Sequence, residues 1–166
     1  MIVNVATALW LAGCGSAGRP VRTSTSSASQ PVRNAAAQSK PATLVRDRPR
    51  GVVITARTSQ YGRILTDGAH RTIYLFTRDR STASTCYGGC ATKWPPVLTH
   101  GAPRARGGVT RLGVTRRRDG ATQVTIGGHP LYYYVGDVRP GDILCQDAEE
   151  FGGTWLVVSR GGSPLR

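Results

Sequence analysis

A short aromatic pattern occurs twice in this chain, and it limits the possible folds more than any other feature. Residues 72–79 read Thr-Ile-Tyr-Leu-Phe-Thr-Arg-Asp, and residues 131–137 read Leu-Tyr-Tyr-Tyr-Val-Gly-Asp. Tyr74, Phe76 and Asp79 recur as Tyr132, Tyr134 and Asp137 at one constant offset (132 − 74 = 58). Each copy follows a His-containing stretch, Gly68-Ala69-His70-Arg71 or Gly127-Gly128-His129-Pro130, and each is followed by a tryptophan, Trp94 or Trp155. Duplication of a supersecondary unit points to two copies that bury their apolar faces together. Strand alternation puts Thr72, Tyr74 and Phe76 on one face and Ile73, Leu75 and Thr77 on the other. Tyr74, Phe76, Tyr132 and Tyr134 are therefore expected in inner-face packing, with hydroxyls reaching the rim. Tyr133 points the other way and is expected to be exposed. Asp79 and Asp137 end equivalent strands. Repetition at one structural place favours turn caps over a catalytic carboxylate pair.

The rest of the chain suits short strands. It has 21 Gly and 10 Pro in 166 residues and no sustained apolar run at helical spacing. Residues 52–54, 62–65, 109–117, 122–126, 131–134 and 154–159 read as further strands. Asp67-Gly68, Asp119-Gly120 and Gly127-Gly128 supply turns. Residues 99–108 and 138–153 read as loops, and Cys86 to Trp94 as one or two helical turns. The expected class is all-β, a compact antiparallel sandwich or small barrel over residues 51–166. Its two related repeats lie at about 62–98 and 120–160.

The N-terminal part reads differently. Ile2 to Ala12 is apolar apart from Asn4 and Thr7, and Leu11-Ala12-Gly13-Cys14 resembles a bacterial lipobox. This apolar run is shorter than the ~20 residues a membrane-spanning helix needs, but it suits a signal-peptide core over residues 1–13. Cys14 would then carry the lipid. No Lys or Arg precedes it, so the true start codon is open. Residues 14–50 are rich in Ser, Ala, Thr, Pro and Arg, a composition that cannot support a packed core and is expected to form a disordered tether.

Several motifs now stand in order: Tyr-x-aromatic-x-x-Asp twice, Thr85-Cys86-Tyr87-Gly88-Gly89-Cys90, Trp94-Pro95-Pro96, and Phe151-Gly152-Gly153-Thr154-Trp155. Together they resemble the bacterial secreted-repeat lipoproteins characterised by the Tyr-x-(Phe/Trp/Tyr)-x-x-Asp motif, over roughly residues 52–160. The resemblance implies an extracytoplasmic protein of a family without an assigned activity, lipid-anchored to the cell membrane.

The thiols left after Cys14 are Cys86, Cys90 and Cys145, an odd number for an oxidising compartment. Proximity favours a Cys86–Cys90 disulfide, with Cys145 as a possible alternative partner for either. Cys-x-x-x-Cys with a histidine is weak evidence for a metal site, because no second Cys pair or His-x-x-x-His accompanies it. Neither metal nor cofactor is expected, and no catalytic constellation stands out. His70 and His129 read as turn residues. The formal net charge is +13. Arg104, Arg106, Arg111, Arg116, Arg117 and Arg118 form a basic stretch, read by default as a solvated face. Export argues against nucleic acid as its partner and suits anionic lipid, a wall polymer or an envelope protein. The expected function is a lipid-anchored binding or envelope-associated module. The alternative is an extracytoplasmic redox, electron-transfer or metal-binding protein using Cys86, Cys90 and Cys145.

Overall fold

The computed structural model describes residues 50–166. The residues expected to form a signal peptide, a lipid-bearing Cys14 and a tether, up to residue 49, lie outside the described residues. The chain runs β1 (Val53–Ser59), β2 (Gly62–Asp67), β3 (Tyr74–Phe76), α1 (Gly89–Lys93), β4 (Arg104–Ala105), β5 (Leu112–Arg116), β6 (Thr122–Ile126), β7 (His129–Tyr132), β8 (Ala148–Glu150) and β9 (Gly153–Val157). Two sheets result, with orders β2-β1-β4 and β5-β6-β7-β3-β9-β8. The fold is all-β and sandwich-like.

The repeat explains the topology. Central strands β3 and β7 pair antiparallel with Tyr74 opposite Tyr132, so each motif tyrosine faces its own counterpart. Pairing of equivalent positions in antiparallel strands means that a local two-fold axis passes between these two residues. The flanks obey the same relation: Val157 of β9 lies beside Tyr74, and Pro96 lies beside Tyr132. In the second repeat this flank is a full strand. In the first, Pro95-Pro96 cannot donate ladder hydrogen bonds, and the pairing is reduced to isolated bridges at Pro96 and Leu98.

Alternation along β3, β7 and β9 builds a core on each face of the six-stranded sheet. Ile73, Leu75, Leu131, Tyr133, Leu156 and Val158 join Ile54, Ala56 and Leu65 of the smaller sheet. On the opposite face, Tyr74, Phe76, Tyr132, Trp155 and Val157 pack with Cys86, Cys90 and Trp94. The disulfide-bearing loop therefore closes the second core, as the smaller sheet closes the first.

Some boundaries differ from the sequence expectation. The strand expected from residue 109 begins at Leu112, because Gly107, Gly108 and Arg111 have positive φ and break the extended run. The loop expected over 99–108 contains β4, which pairs in parallel with β1 (Val53 with Arg104). Close approach there requires glycine: a Cβ on Gly51 would stand 1.9 Å from the Ala102 carbonyl oxygen. The loop expected over 138–153 contains β8, which forms a tight hairpin with β9 around Phe151-Gly152. Both turn residues have positive φ, 55° and 79°, as a two-residue type I′ turn demands. Phenylalanine is an uncommon choice for such a position, which is why the hairpin escapes the usual Asn-Gly signal.

Candidate functional site

The motif residues come together in the second core, and each aspartate is bonded by the other repeat. The Tyr74 hydroxyl donates to Asp137 Oδ2 at 2.7 Å, and the Tyr132 hydroxyl donates to Asp79 Oδ2. Each remaining carboxylate oxygen holds its own loop: Asp79 Oδ1 accepts from the Thr85 amide (2.7 Å) and hydroxyl (2.6 Å), and Asp137 Oδ1 accepts from the Leu144 amide (3.0 Å). The aspartates thus hold local loops and also lock the two repeats together. The expectation that the tyrosine hydroxyls reach the rim is corrected, since Tyr74 and Tyr132 are fully buried. Burial, reinforced by the aspartates, pushes both hydroxyls well above the usual tyrosine value. Burial likewise raises Asp137, although the bonds from Tyr74 and Leu144 pull it back.

The rings follow the same two-fold logic. Phe76 stacks on Trp155 at 4.1 Å, Trp155 on Trp94 at 4.0 Å, and Trp94 meets Tyr134 at 4.8 Å. The order alternates between repeats, so neither repeat has its stack without the other. Edge contacts complete the pattern, with Tyr74 against Trp94 and Tyr132 against Trp155. The indoles differ in their polar contacts. Trp94 Nε1 donates to Glu150 Oε2 at 3.0 Å, whereas buried Trp155 Nε1 has no partner among the described residues. Glu150 also pairs with Lys93, and this bond holds its carboxyl below the usual range.

Cys86 and Cys90 form a disulfide with Cα atoms 5.3 Å apart, and Cys145 is a free, half-buried thiol. Cys145 follows Leu144, whose amide bonds Asp137, just as Cys86 follows Thr85, whose amide bonds Asp79. It is therefore the second repeat's counterpart of Cys86, with a sheet strand where the first repeat has α1 and Cys90. The thiol packs on the second core, and interaction with it pushes the Tyr134 hydroxyl above the usual tyrosine value. His70 occupies a turn with φ 67°; His129 opens β7 and places Nδ1 3.0 Å from the Asp79 carbonyl oxygen.

Two sequence expectations are overturned here. Tyr133 does point away from Tyr132 and Tyr134, but into the first core. Its hydroxyl donates to Asp67 Oδ2 at 3.1 Å, and the Arg71 guanidinium lies 3.8 Å over its ring. Arg117 is buried, unlike its neighbours in the basic stretch. Its guanidinium pairs with Asp119 and donates to Ser84 Oγ (2.9 Å), Gln123 Oε1 (2.8 Å) and the Cys86 carbonyl oxygen (3.0 Å). It fastens the disulfide loop to β6.

The rest of the basic stretch divides. Arg104 lies in β4 of the smaller sheet and Arg106 just follows it, and Arg111 lies against Gly127 and the Gly161 carbonyl. Arg116 and Arg118 line a cavity of roughly 360 Å³ with Arg78, Ser84, Thr85 and Tyr87. Arg78, Thr85 and Tyr87 also line an adjoining cavity of roughly 480 Å³, with Phe76 and Phe151. The two make one groove with a cationic half and an aromatic half. Tyr87 stands at the junction, with the guanidinium carbons of Arg117 and Arg118 at 4.3 and 4.2 Å from its ring centre. Its oxygen accepts the Arg118 amide at 3.1 Å. Sequence reasoning missed Arg78 and Phe151, which lie far along the chain from the basic stretch. Only the unusual Phe-Gly turn hinted at the latter.

Among the described residues, no three His, Cys, Asp or Glu side chains gather in a metal-binding group, so the metal alternative finds no donor set there. No described helix is long and apolar enough to cross a membrane. No curated protein and no solved structure matches the chain. One family does, a lipoprotein family described as a secreted repeat of unknown function, at residues 55–98 and 113–159. The two matched segments begin 58 residues apart (113 − 55), which is the offset of the tyrosines. They cover more than half of the sequence, and the chain belongs to this family of secreted bacterial repeats.

Proposed function

We propose that this protein is a lipid-anchored binding module on the outer face of the cell membrane, held there through Cys14, and that its two repeats form a rigid support for one ligand groove. The observation that carries this reading is how the polar groups are used. The motif tyrosines and aspartates, together with Arg117, are committed to hydrogen bonds that hold the fold. Arg116 and Arg118 form no ion pair among the described residues, yet they converge with Arg78 on the groove. Like charges gathered without counter-charges repel one another, and an anionic ligand relieves that repulsion. Family membership supports an extracytoplasmic setting. A pull-down tests the reading: the Cys14→Ser chain, immobilised, is exposed to solubilised envelope fractions of the host. Retention of one defined envelope component, absent from a control column, is the expected result. Retention of nothing above the control overturns the proposal.

A further inference from the structure

We propose that the groove binds a sugar phosphate or polyol phosphate, with the phosphate among Arg78, Arg116 and Arg118 and the sugar or polyol carbons against Tyr87 and Phe151. The inference rests on the binding-module reading and names its ligand class. Three observations lead to it. The cationic half of the groove is lined by three guanidiniums and two hydroxyl residues, Ser84 and Thr85, and by no carboxylate. Guanidinium forks suit the several acceptor oxygens of one phosphate, while the Thr85 and Ser84 hydroxyls are already engaged with Asp79 and with Tyr132 and Arg117.

The adjoining half is mostly apolar and presents aromatic surface. A ligand that fills both halves must join an anionic group directly to a compact, partly apolar body. Sugar and polyol phosphates have that form, whereas a bare polyanion leaves the aromatic half unused.

The third observation is Phe151 itself. It is 42% exposed and has φ 55° in a turn where Asn, Asp or Gly is favoured. A left-handed conformation is unfavourable for a non-glycine residue, because Cβ crowds the following carbonyl oxygen. Arg78 Nη1 donates to the Phe151 carbonyl at 2.9 Å, tying the strained turn to the cationic half. A strained residue that displays an exposed ring at a groove edge is the kind of feature that ligand sites retain.

The test uses the full chain with Cys14→Ser and four probes: polyglycerol phosphate, inorganic phosphate, polyglutamate matched for length and charge, and vesicles containing phosphatidylglycerol. Calorimetric titration measures affinity, and Tyr87 ring shifts by nuclear magnetic resonance report its place. Polyglycerol phosphate is expected to bind and to move the Tyr87 signals. Arg116→Glu with Arg118→Glu is expected to weaken binding about tenfold or more. Phe151→Ala is expected to weaken the polymer but leave inorganic phosphate unchanged. Arg104→Glu with Arg106→Glu makes the same charge change away from the groove and is expected to alter affinity less than about threefold. Equal losses from the two pairs would show only a general polyanion effect and overturn the proposal. Equal binding of polyglutamate, or binding to vesicles but not to polymer, would do the same. If the envelope pull-down still retains a component that Arg116→Glu with Arg118→Glu fails to release, the groove assignment falls and the binding-module reading stands. An empty pull-down removes both.

Discussion

Replacing Tyr74 by Phe tests whether the two repeats are locked by their reciprocal hydrogen bonds. The substitution keeps the ring, and with it the edge contact to Trp94, and removes only the hydroxyl that donates to Asp137 Oδ2 at 2.7 Å. Asp137 then keeps the Leu144 amide on Oδ1 and remains buried. A hydrogen bond to a charged group contributes about 1.5–3 kcal/mol, so a loss of that size is expected at neutral pH. The loss should depend on pH. Burial already holds the Asp137 pKa above the usual aspartate value, and the Tyr74 bond lowers it; without that bond it rises further. A raised carboxyl pKa favours the protonated folded state. The variant's deficit is therefore full where the carboxyl is ionised in both states, and it shrinks as pH falls toward the unfolded value of about 3.9. Urea unfolding, followed by the fluorescence of Trp94 and Trp155, gives both numbers. Combining the change with Asp137→Asn should recover a coupling energy of about 1–2 kcal/mol. A coupling below about 0.5 kcal/mol, or a deficit unchanged on acidification, would refute the lock.

Alkaline unfolding should be steep. Tyr74, Tyr132 and Tyr133 all have pKa values raised by burial, so the stability they contribute is complete below about pH 10, the ordinary tyrosine value, and is lost as pH rises above it. Each adds a slope of about 1.4 kcal/mol per pH unit; tyrosinate absorbance that exceeds the share of the three other tyrosines, Tyr61, Tyr87 and Tyr134, before unfolding would contradict this. Arg117→Met should destabilise by about 2–4 kcal/mol, because the Cys86 carbonyl and Gln123 Oε1 lose their donor. Arg116→Met should change stability by less than about 0.5 kcal/mol, and equal effects would show that the burial of Arg117 is unimportant. Cys14→Ser in the native host, expressed from a start codon far enough upstream, should move the protein from the membrane fraction to the soluble one; unchanged membrane association would defeat the anchor.

Much of the architecture was legible because it is local or periodic. Period-two alternation through Ile73-Tyr74-Leu75-Phe76 is a property of extended backbone, so the two faces of the central strand follow from the order of residues alone. The constant offset between Tyr74 and Tyr132 announced two equivalent units. Cys86 and Cys90 are close enough in the chain for a small loop to bring them together.

What the order of residues leaves undecided is whether equivalent groups make contacts within a repeat or between repeats. Asp79 is bonded by Tyr132 and Asp137 by Tyr74, partners 53 and 63 residues away, because the two-fold axis passes between the paired strands. The same applies to Tyr133. Its direction follows from alternation, but its burial depends on the second sheet that covers that face. Arg116, Arg117 and Arg118 look alike as a run of basic residues. Only packing buries the middle one under the disulfide loop and leaves its neighbours to converge with Arg78. Charge and polarity are properties of a residue, whereas burial and partnership are properties of the surfaces that long-range pairing brings together.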